Sequence, residues 1–539
     1  MARLDGLMMD YPLDITAIWR HAERYYSHKP LVTKLPDQSF HRYTYGDMFE
    51  RARRLAVALG ELGVEPGDRV ATFCWNTYHH LEMYFAIPAM GAVVHTVNLR
   101  LHPEDLVYLF NHADDKVILV DRTVLPLIAP LRERIPARHV VVVDEGEEPP
   151  PGFLSYQALI AGADAGRFRF NVEDERQAAA MCYTSGTTGR PKGVLYSHRS
   201  TVLHTLSSTN AQGGIGIVET DVLSLMVPMF HVNGWGHPWT ATLQGASQVF
   251  PGRYLDPESL LSLFASERVT VAAGVPTVWL GVLQLLDDNP GRWDLSALRY
   301  MLVGGAAMPQ AIMRAFDERH HIRVVHAWGM TETSPLGSVS ILASDLDDAP
   351  EDVKYRYRAT QGRPTPLVEV RARAEDGSEV PWDGRALGEL EVRGPWVAKA
   401  YYGAPEGDDR FTADGWFRTG DIVTIDDRGY ITIQDRSKDV IKSGGEWISS
   451  VALENAIMGH PAVLEAAVVA MPDPHWQERP LAVVVPKPGQ SVTLEDLREF
   501  LAPHFAKWWL PDRLELVDTI PRSAAGKFLK TELRRRFAG

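Results

Sequence analysis

Short runs of β-branched and other apolar residues recur along the first 305 positions: RVATFCWN (69–76), KVILVD (116–121), HVVVVDE (139–145), VLSLMVP (222–228), VTVAAGVP (269–276) and YMLVGG (300–305). Strands that are apolar on both faces must be covered on both faces, which calls for helices packed over a mainly parallel sheet. The intervening segments supply them. The stretch YGDMFERARRLAVALGELG (45–63) repeats its apolar positions at helical spacing and closes on a glycine. From about Leu387 the pattern changes to short strands with turn dipeptides, as in DGWFRTGD and DDRGYITIQDR. After SKDVIKSGGEW come a helix, two strands and another helix. The expected fold is α/β: a large N-terminal domain (1–436) of α/β sheets plus a β-rich subdomain, and a small mobile α+β domain (437–539). A chain of 539 residues, 45% of them hydrophobic, has the core to support that division.

No run approaches eighteen apolar residues, and MARLDGLMMDYPLD lacks the apolar centre of a signal peptide. A cytoplasmic protein without a transmembrane segment is expected. A formal net charge of −14 with no basic stripe argues against a nucleic-acid partner, so an anionic ligand has to meet its positive charge locally. Cys74 and Cys182, both in apolar runs, are too few for a disulfide framework and read as small buried hydrophobes.

The segment MCYTSGTTGRPKG (181–193) concentrates hydroxyls at Thr184, Ser185, Thr187 and Thr188, glycines at Gly186 and Gly189, and the ammonium of Lys192. Backbone amides freed by glycine, with hydroxyl donors and one cation, make a nest for polyphosphate oxygens. Pro191 stands where a Walker A loop requires glycine before its lysine, which excludes the P-loop NTPase pattern. GGIGIVE (213–219) lacks the third glycine of a dinucleotide fingerprint, and no GxSxG elbow or zinc spacing occurs.

The loop resembles the phosphate-binding signature of the adenylate-forming superfamily, which includes acyl-CoA synthetases, peptide-synthetase adenylation domains and beetle luciferases. Four further segments resemble that family's motifs in family order: AWGMTETSP (327–335), WFRTGD (416–421), QDRSKDVIKSGGEWIS (434–449) and PRSAAGKFLK (521–530). VPMFHVNGWG, AGVPTVWL and IKSGGEWISSVALENAIMGHP are similar to bacterial long-chain fatty acyl-CoA synthetases and methylmercaptopropionate-CoA ligases.

The resemblance implies a ligase that forms an acyl-adenylate from ATP and a medium- or long-chain fatty acid and passes the acyl group to coenzyme A. Ligation of a short or sulfur-containing acid, transfer to a carrier protein, and a nucleotide-binding regulator without turnover are the alternatives. The implied partners are thus a small carboxylic acid, ATP, Mg2+ and CoA, with a homodimeric assembly. By the same resemblance Thr184 and Glu332 hold Mg2+, a hard cation suited to oxygen ligands. Trp328, where the family usually carries Tyr, walls the adenine together with Gly329, Met330 and Thr331, and Asp421 takes the ribose hydroxyls. Arg436 reaches the ribose and phosphate edge, beside Ile433 and the hinge residue Lys438. Lys442, Gly444, Gly445, Glu446 and Trp447 face the thioester-forming site, and Lys527 bridges carboxylate and α-phosphate. His231 serves catalysis and the acyl pocket, which it lines with Trp235, Val303, Gly304, Gly305 and Ala306, Trp235 standing as an indole gate. Taken alone, Asp421 would be an ordinary turn residue, His231 a core histidine and Lys527 a solvent-facing lysine.

Overall fold

The computed structural model describes residues 4, 6–143, 146–184, 190–210, 215–404, 408–443, 446–522 and 528–538. Two large sheets form the body. In the seven-stranded one, Leu154–Ser155, His139–Val143, Asp115–Asp121, Arg69–Phe73, Val93–Thr96 and Ala178–Tyr183 run parallel in that spatial order, and Gly193–Ser197 closes the edge antiparallel. In the nine-stranded sheet the inner strands Arg323–Gly329, Tyr300–Val303, Val271–Gly274, Val222–Ser224, Ser247–Phe250 and Pro30–Lys34 are parallel. The antiparallel strands Leu336–Val339 and Arg363–Pro364 flank them on one side and Phe40–Thr44 on the other. The α/β expectation therefore holds.

Between the sheets lies the helix Tyr78–Ala89, every residue of which is buried. It follows a capping threonine, Thr77, and has no polar face because none is needed. Its one carboxylate, Glu82, accepts hydrogen bonds from Arg51 Nε at 2.6 Å and the Tyr156 hydroxyl at 2.7 Å. Burial pushes the Glu82 carboxyl above the usual range while the Arg51 guanidinium pulls it back.

The run 222–228 forms a strand only over Val222–Ser224. Beyond it the buried Asn76 side chain replaces a neighbouring strand. Its amide nitrogen donates to the carbonyls of Leu225 and Val227, both at 2.6 Å, and its oxygen accepts from Met229 N at 2.8 Å. The backbone groups are satisfied without a ladder, so the segment can bend.

The β-rich part is an antiparallel sheet of Glu369–Arg373, Gly388–Arg393, Phe417–Ile425 and Ile431–Arg436. The chain then enters a separate sheet containing Ile441–Ser443, Glu446–Ile448, Val463–Asp473, Gln477–Pro486 and Arg513–Leu516, packed with the helices Ser450–Ile457 and Leu494–Leu501 around its own core. The two units touch through Asp435, whose Oδ2 accepts from Ser450 N at 2.7 Å and Ser450 Oγ at 2.6 Å. Lys530 Nζ lies 2.7 Å from Glu454 and donates to Ser450 Oγ.

Arg51→Ala leaves the Glu82 carboxylate buried without its cation. It should lower unfolding free energy by roughly 3–5 kcal/mol, read as a lower urea midpoint. A midpoint equal to that of the unchanged protein would mean that the pair carries no stability.

Candidate active site

Open parallel sheets bind ligands beyond the carboxyl ends of their strands. Here the strands Val271–Gly274, Tyr300–Val303 and Arg323–Gly329 end at a cavity of about 720 Å3. Thr184 and Lys192, which flank the strands Ala178–Tyr183 and Gly193–Ser197 of the seven-stranded sheet, line it, as do Thr419 and Gly420 of the antiparallel sheet, and Phe528 to Thr531 approach from the C-terminal unit.

One end is polar. Gly329 lets the chain double back, since a Cβ there would stand 1.9 Å from the Pro335 carbonyl oxygen. Gly337 makes room for the Trp328 ring, which a Cβ would meet at 2.3 Å. The Trp328 indole Nε1 donates to Asp421 Oδ2 at 3.0 Å, and Arg436 Nε lies 2.8 Å from Asp421 Oδ1. Glu332, also buried, takes a hydrogen bond on Oε1 from the Tyr401 hydroxyl at 2.6 Å. Burial first, and the Glu332 charge second, hold that phenol protonated. Lys192 Nζ sits 2.7 Å from Asp408 and 4.5 Å above the centre of the Tyr401 ring. The ends of the glycine-hydroxyl loop are tied together, Thr184 N donating to Lys192 O at 2.9 Å and Lys192 N to Thr184 Oγ1 at 3.1 Å.

The other end is built on an unusual turn. Val232, Asn233, Gly234, Trp235 and Gly236 have φ of +43°, +40°, +59°, +56° and +73°. Left-handed backbone is uncommon outside glycine, and for a β-branched residue it is a genuine outlier. Buried contacts hold it: Asn233 N donates to Cys182 Sγ at 3.2 Å and Asn233 Nδ2 to Thr96 Oγ1 at 3.1 Å. The turn lays the Trp235 indole on Gly304, where a Cβ would come within 2.9 Å of the ring. Met226, Leu255 and Val278 add apolar lining.

Of the residues singled out in the sequence, Thr184, Lys192, Trp328, Gly329, Met330, Thr331 and Glu332 line this cavity. So do His231, Trp235, Gly304, Gly305, Arg436 and Lys438. Asp421 stands behind Trp328, with one contact already on each oxygen. Val303 is not on the lining: it is wholly buried in the core beside Trp279, while its strand neighbours Leu302 and Gly304 face the cavity. Ala306 is also off the lining, exposed past the strand end, its carbonyl oxygen 3.3 Å from His326 Nε2. Ile433 is off the lining as well, its amide donating to Gln361 Oε1 at 2.6 Å.

Lys442 and Trp447 pair across a hairpin, the ammonium 5.6 Å from the indole centre and 3.5 Å from Glu375, and neither lines the cavity. Glu446 is in the facing strand. Ser185, Gly186, Thr187, Thr188, Gly189, Gly444, Gly445 and Lys527 lie outside the described residues. Tyr401 and Asp408 were missed by the sequence reading. They come from a loop with no motif of its own, and only the fold brings them to Lys192 and Glu332.

The profile of the AMP-binding enzyme family matches residues 18–402, and that of its C-terminal domain matches residues 452–527. The chain is 49% identical over 540 aligned positions to a long-chain-fatty-acid–CoA ligase of Thermus thermophilus, covering 100% of this chain and 98% of that one. It is 44% identical to a 3-methylmercaptopropionyl-CoA ligase of Ruegeria lacuscaerulensis, covering 99% and 98%. Its fold superposes on the crystal structure of the anthranilate CoA ligase AuaEII in complex with anthranoyl-AMP with a TM-score of 0.87, at 26% identity and 98% coverage of both chains.

Trp328→Phe keeps an aromatic wall but removes the N–H that Asp421 accepts. The apparent KM for ATP should rise on the order of tenfold, with a smaller change in KM for the acid, as read from initial rates. A shift confined to the acid would place Trp328 outside the nucleotide site.

Proposed function

The chain belongs to the AMP-binding enzyme family, and from that premise we propose that it is an AMP-forming acyl-CoA ligase for medium- or long-chain fatty acids. The observation that carries the reading is the continuity of one cavity from Thr184, Lys192 and Glu332 to the apolar lining around Trp235. A carboxylate held there attacks the α-phosphorus of ATP, the bond to pyrophosphate breaks, and the acyl-adenylate forms. The thiol sulfur of CoA, its proton lost, then attacks the acyl carbon and AMP leaves.

The first step brings two anions together, so local cations matter most. Lys192 and Arg436, both on the cavity lining, supply them. Lys527, three positions before the cavity-lining Lys530, is assigned the contact between the attacking carboxylate and the α-phosphate. Thr184 and Glu332 would hold Mg2+. A hydroxyl and a buried carboxylate with one oxygen outside the Tyr401 hydrogen bond fit a hard cation that keeps phosphate oxygens and water as its other ligands. When bound, it would neutralise charge on the phosphates. Asp421 fixes the Trp328 and Arg436 side chains beside the nucleotide, and Trp328 stacks on adenine.

In this reading residues 1–436 and 437–539 are the two domains, and the second rotates about Lys438 between the steps, bringing the loop near Lys442 and Trp447 to the thioester-forming site. A homodimer in the cytoplasm completes the reading. No helix of the described residues is long and apolar enough to cross a membrane.

Acid-dependent pyrophosphate release followed by CoA-thioester formation, assayed across saturated acids from short to long, tests the proposal. Pyrophosphate release indifferent to any acid would overturn it. Lys527→Ala should slow acyl-adenylate formation on the order of 100-fold and leave thioester formation from preformed acyl-AMP largely intact. Equal loss in both half-reactions counts against the assigned role. Lys438→Pro fixes φ near roughly −65°. It should retain a single turnover of pyrophosphate release and lose most thioester formation, and unchanged rates in both would remove Lys438 as the pivot.

A further inference from the structure

The main chain at Lys192 is fixed from two directions, by its exchange of hydrogen bonds with Thr184 and, one residue on, by Tyr402 N, which donates to Gly193 O at 2.8 Å. The side chain is a different matter: it is 47% exposed, and a lysine in that setting ordinarily samples many rotamers. Here the ammonium is held twice. Asp408 Oδ2 accepts from Nζ at 2.7 Å, and the face of the Tyr401 ring lies beneath it. Asp408 is itself braced, since its Oδ1 accepts from Arg410 N at 3.0 Å. The Arg410 guanidinium donates in turn to the carbonyls of Arg418 and Thr419, at 2.7 and 3.0 Å, in the strand Phe417–Ile425. Burial pushes the Asp408 carboxyl up, but the Lys192 ammonium and the Arg410 amide outweigh it and hold the group below the usual range, so it is charged at neutral pH.

An ion pair this exposed contributes little to stability, so its consequence lies in where it puts the ammonium. Lys192, Tyr401 and Arg410 line the cavity, and Asp408 does not. An ammonium has three N–H donors, and Asp408 takes one, which leaves two for phosphate oxygens. A side chain already confined loses less freedom when a ligand binds it. We infer that Asp408 is a positioning residue for ATP, acting through Lys192: it holds the ammonium ready at the polar end of the cavity for the polyphosphate. This deepens the ligase reading and rests on it. The opposite role, a counter-ion that competes with phosphate for Lys192, would change ATP affinity with the opposite sign.

Asp408→Asn keeps an acceptor for Arg410 N, and with it the local turn, while removing the charge that holds Lys192. In acid-dependent pyrophosphate release its KM for ATP should rise about 2- to 10-fold, with KM for the acid changed less, and Asp408→Glu should recover part of the loss. In a Lys192→Ala background Asp408→Asn should add nothing, because the group it positions is gone. A KM for ATP that is unchanged or lower in Asp408→Asn overturns the inference, the lower value marking a competing counter-ion. An equal rise in the Lys192→Ala background also overturns it, since the carboxylate would then serve only local packing. Calorimetric titration with ATP reads the same contact without turnover. If the unchanged protein binds ATP yet releases no pyrophosphate with any acid, the ligase reading fails, while weaker ATP binding by Asp408→Asn still upholds the positioning role. An unchanged protein that does not bind ATP overturns both.

Discussion

The carboxylate of Asp421 is the point on which the site's geometry depends. It is 1% exposed, and a buried charge persists only where it is paired and hydrogen-bonded. Its two contacts come from different parts of the fold: the Trp328 indole, at the end of an inner strand of the nine-stranded sheet, and the Arg436 guanidinium, on the last residue of the antiparallel sheet. One ion therefore fixes both the aromatic wall of the cavity and the residue from which the chain leaves for the C-terminal unit. The Arg436 carbonyl then receives Asp439 N and Val440 N at 2.9 and 3.0 Å, so the link begins as a tight turn anchored in the site.

The neighbouring residue makes the other contact that sets the orientation. Asp435 caps the helix Ser450–Ile457 across the link, while Lys530 remains paired with Glu454 inside the C-terminal unit. Rotation of that unit would break the first interaction and keep the second. The buried Lys530–Glu454 pair, costly to separate, can travel intact. Asp435 and Ser450 are both buried, so separating them would uncover a carboxylate and two donors that now satisfy one another.

The sequence disclosed what depends on local pattern. KVILVD and HVVVVDE became strands Asp115–Asp121 and His139–Val143 because runs apolar on both faces have few other uses in a soluble core. The motifs located most of the polar lining, since each keeps its residues within one loop. What escaped depends on distant contacts. The helix Tyr78–Ala89 shows no amphipathic period because both of its sides are buried. The early end of the strand at Ser224 is set by a side chain about 150 positions away, Asn76, whose bond to Val227 O spans |i−j| = 151. Which residues at the end of the strand Tyr300–Val303 face the cavity is likewise decided by strand alternation, with Leu302 and Gly304 on the lining and Val303 in the core.

The two ends of the cavity are held by different physics. At the polar end, hydrogen bonds and an ion pair hold the buried carboxylates Glu332 and Asp421, and removing a partner of either strands it. At the apolar end the backbone is held in a sparsely populated region from Val232 through Trp235, at about 1–3 kcal/mol for each non-glycine residue, and Asn233 with Cys182 and Thr96 maintains it from beneath. That strain resides in the main chain and its buried supports, not in the side chains the turn presents. Trp235, itself the last non-glycine residue of that turn, is held against Gly304 by it. On the ligase reading proposed above, substitutions there would change which acyl group fits while the polar end stays as it is.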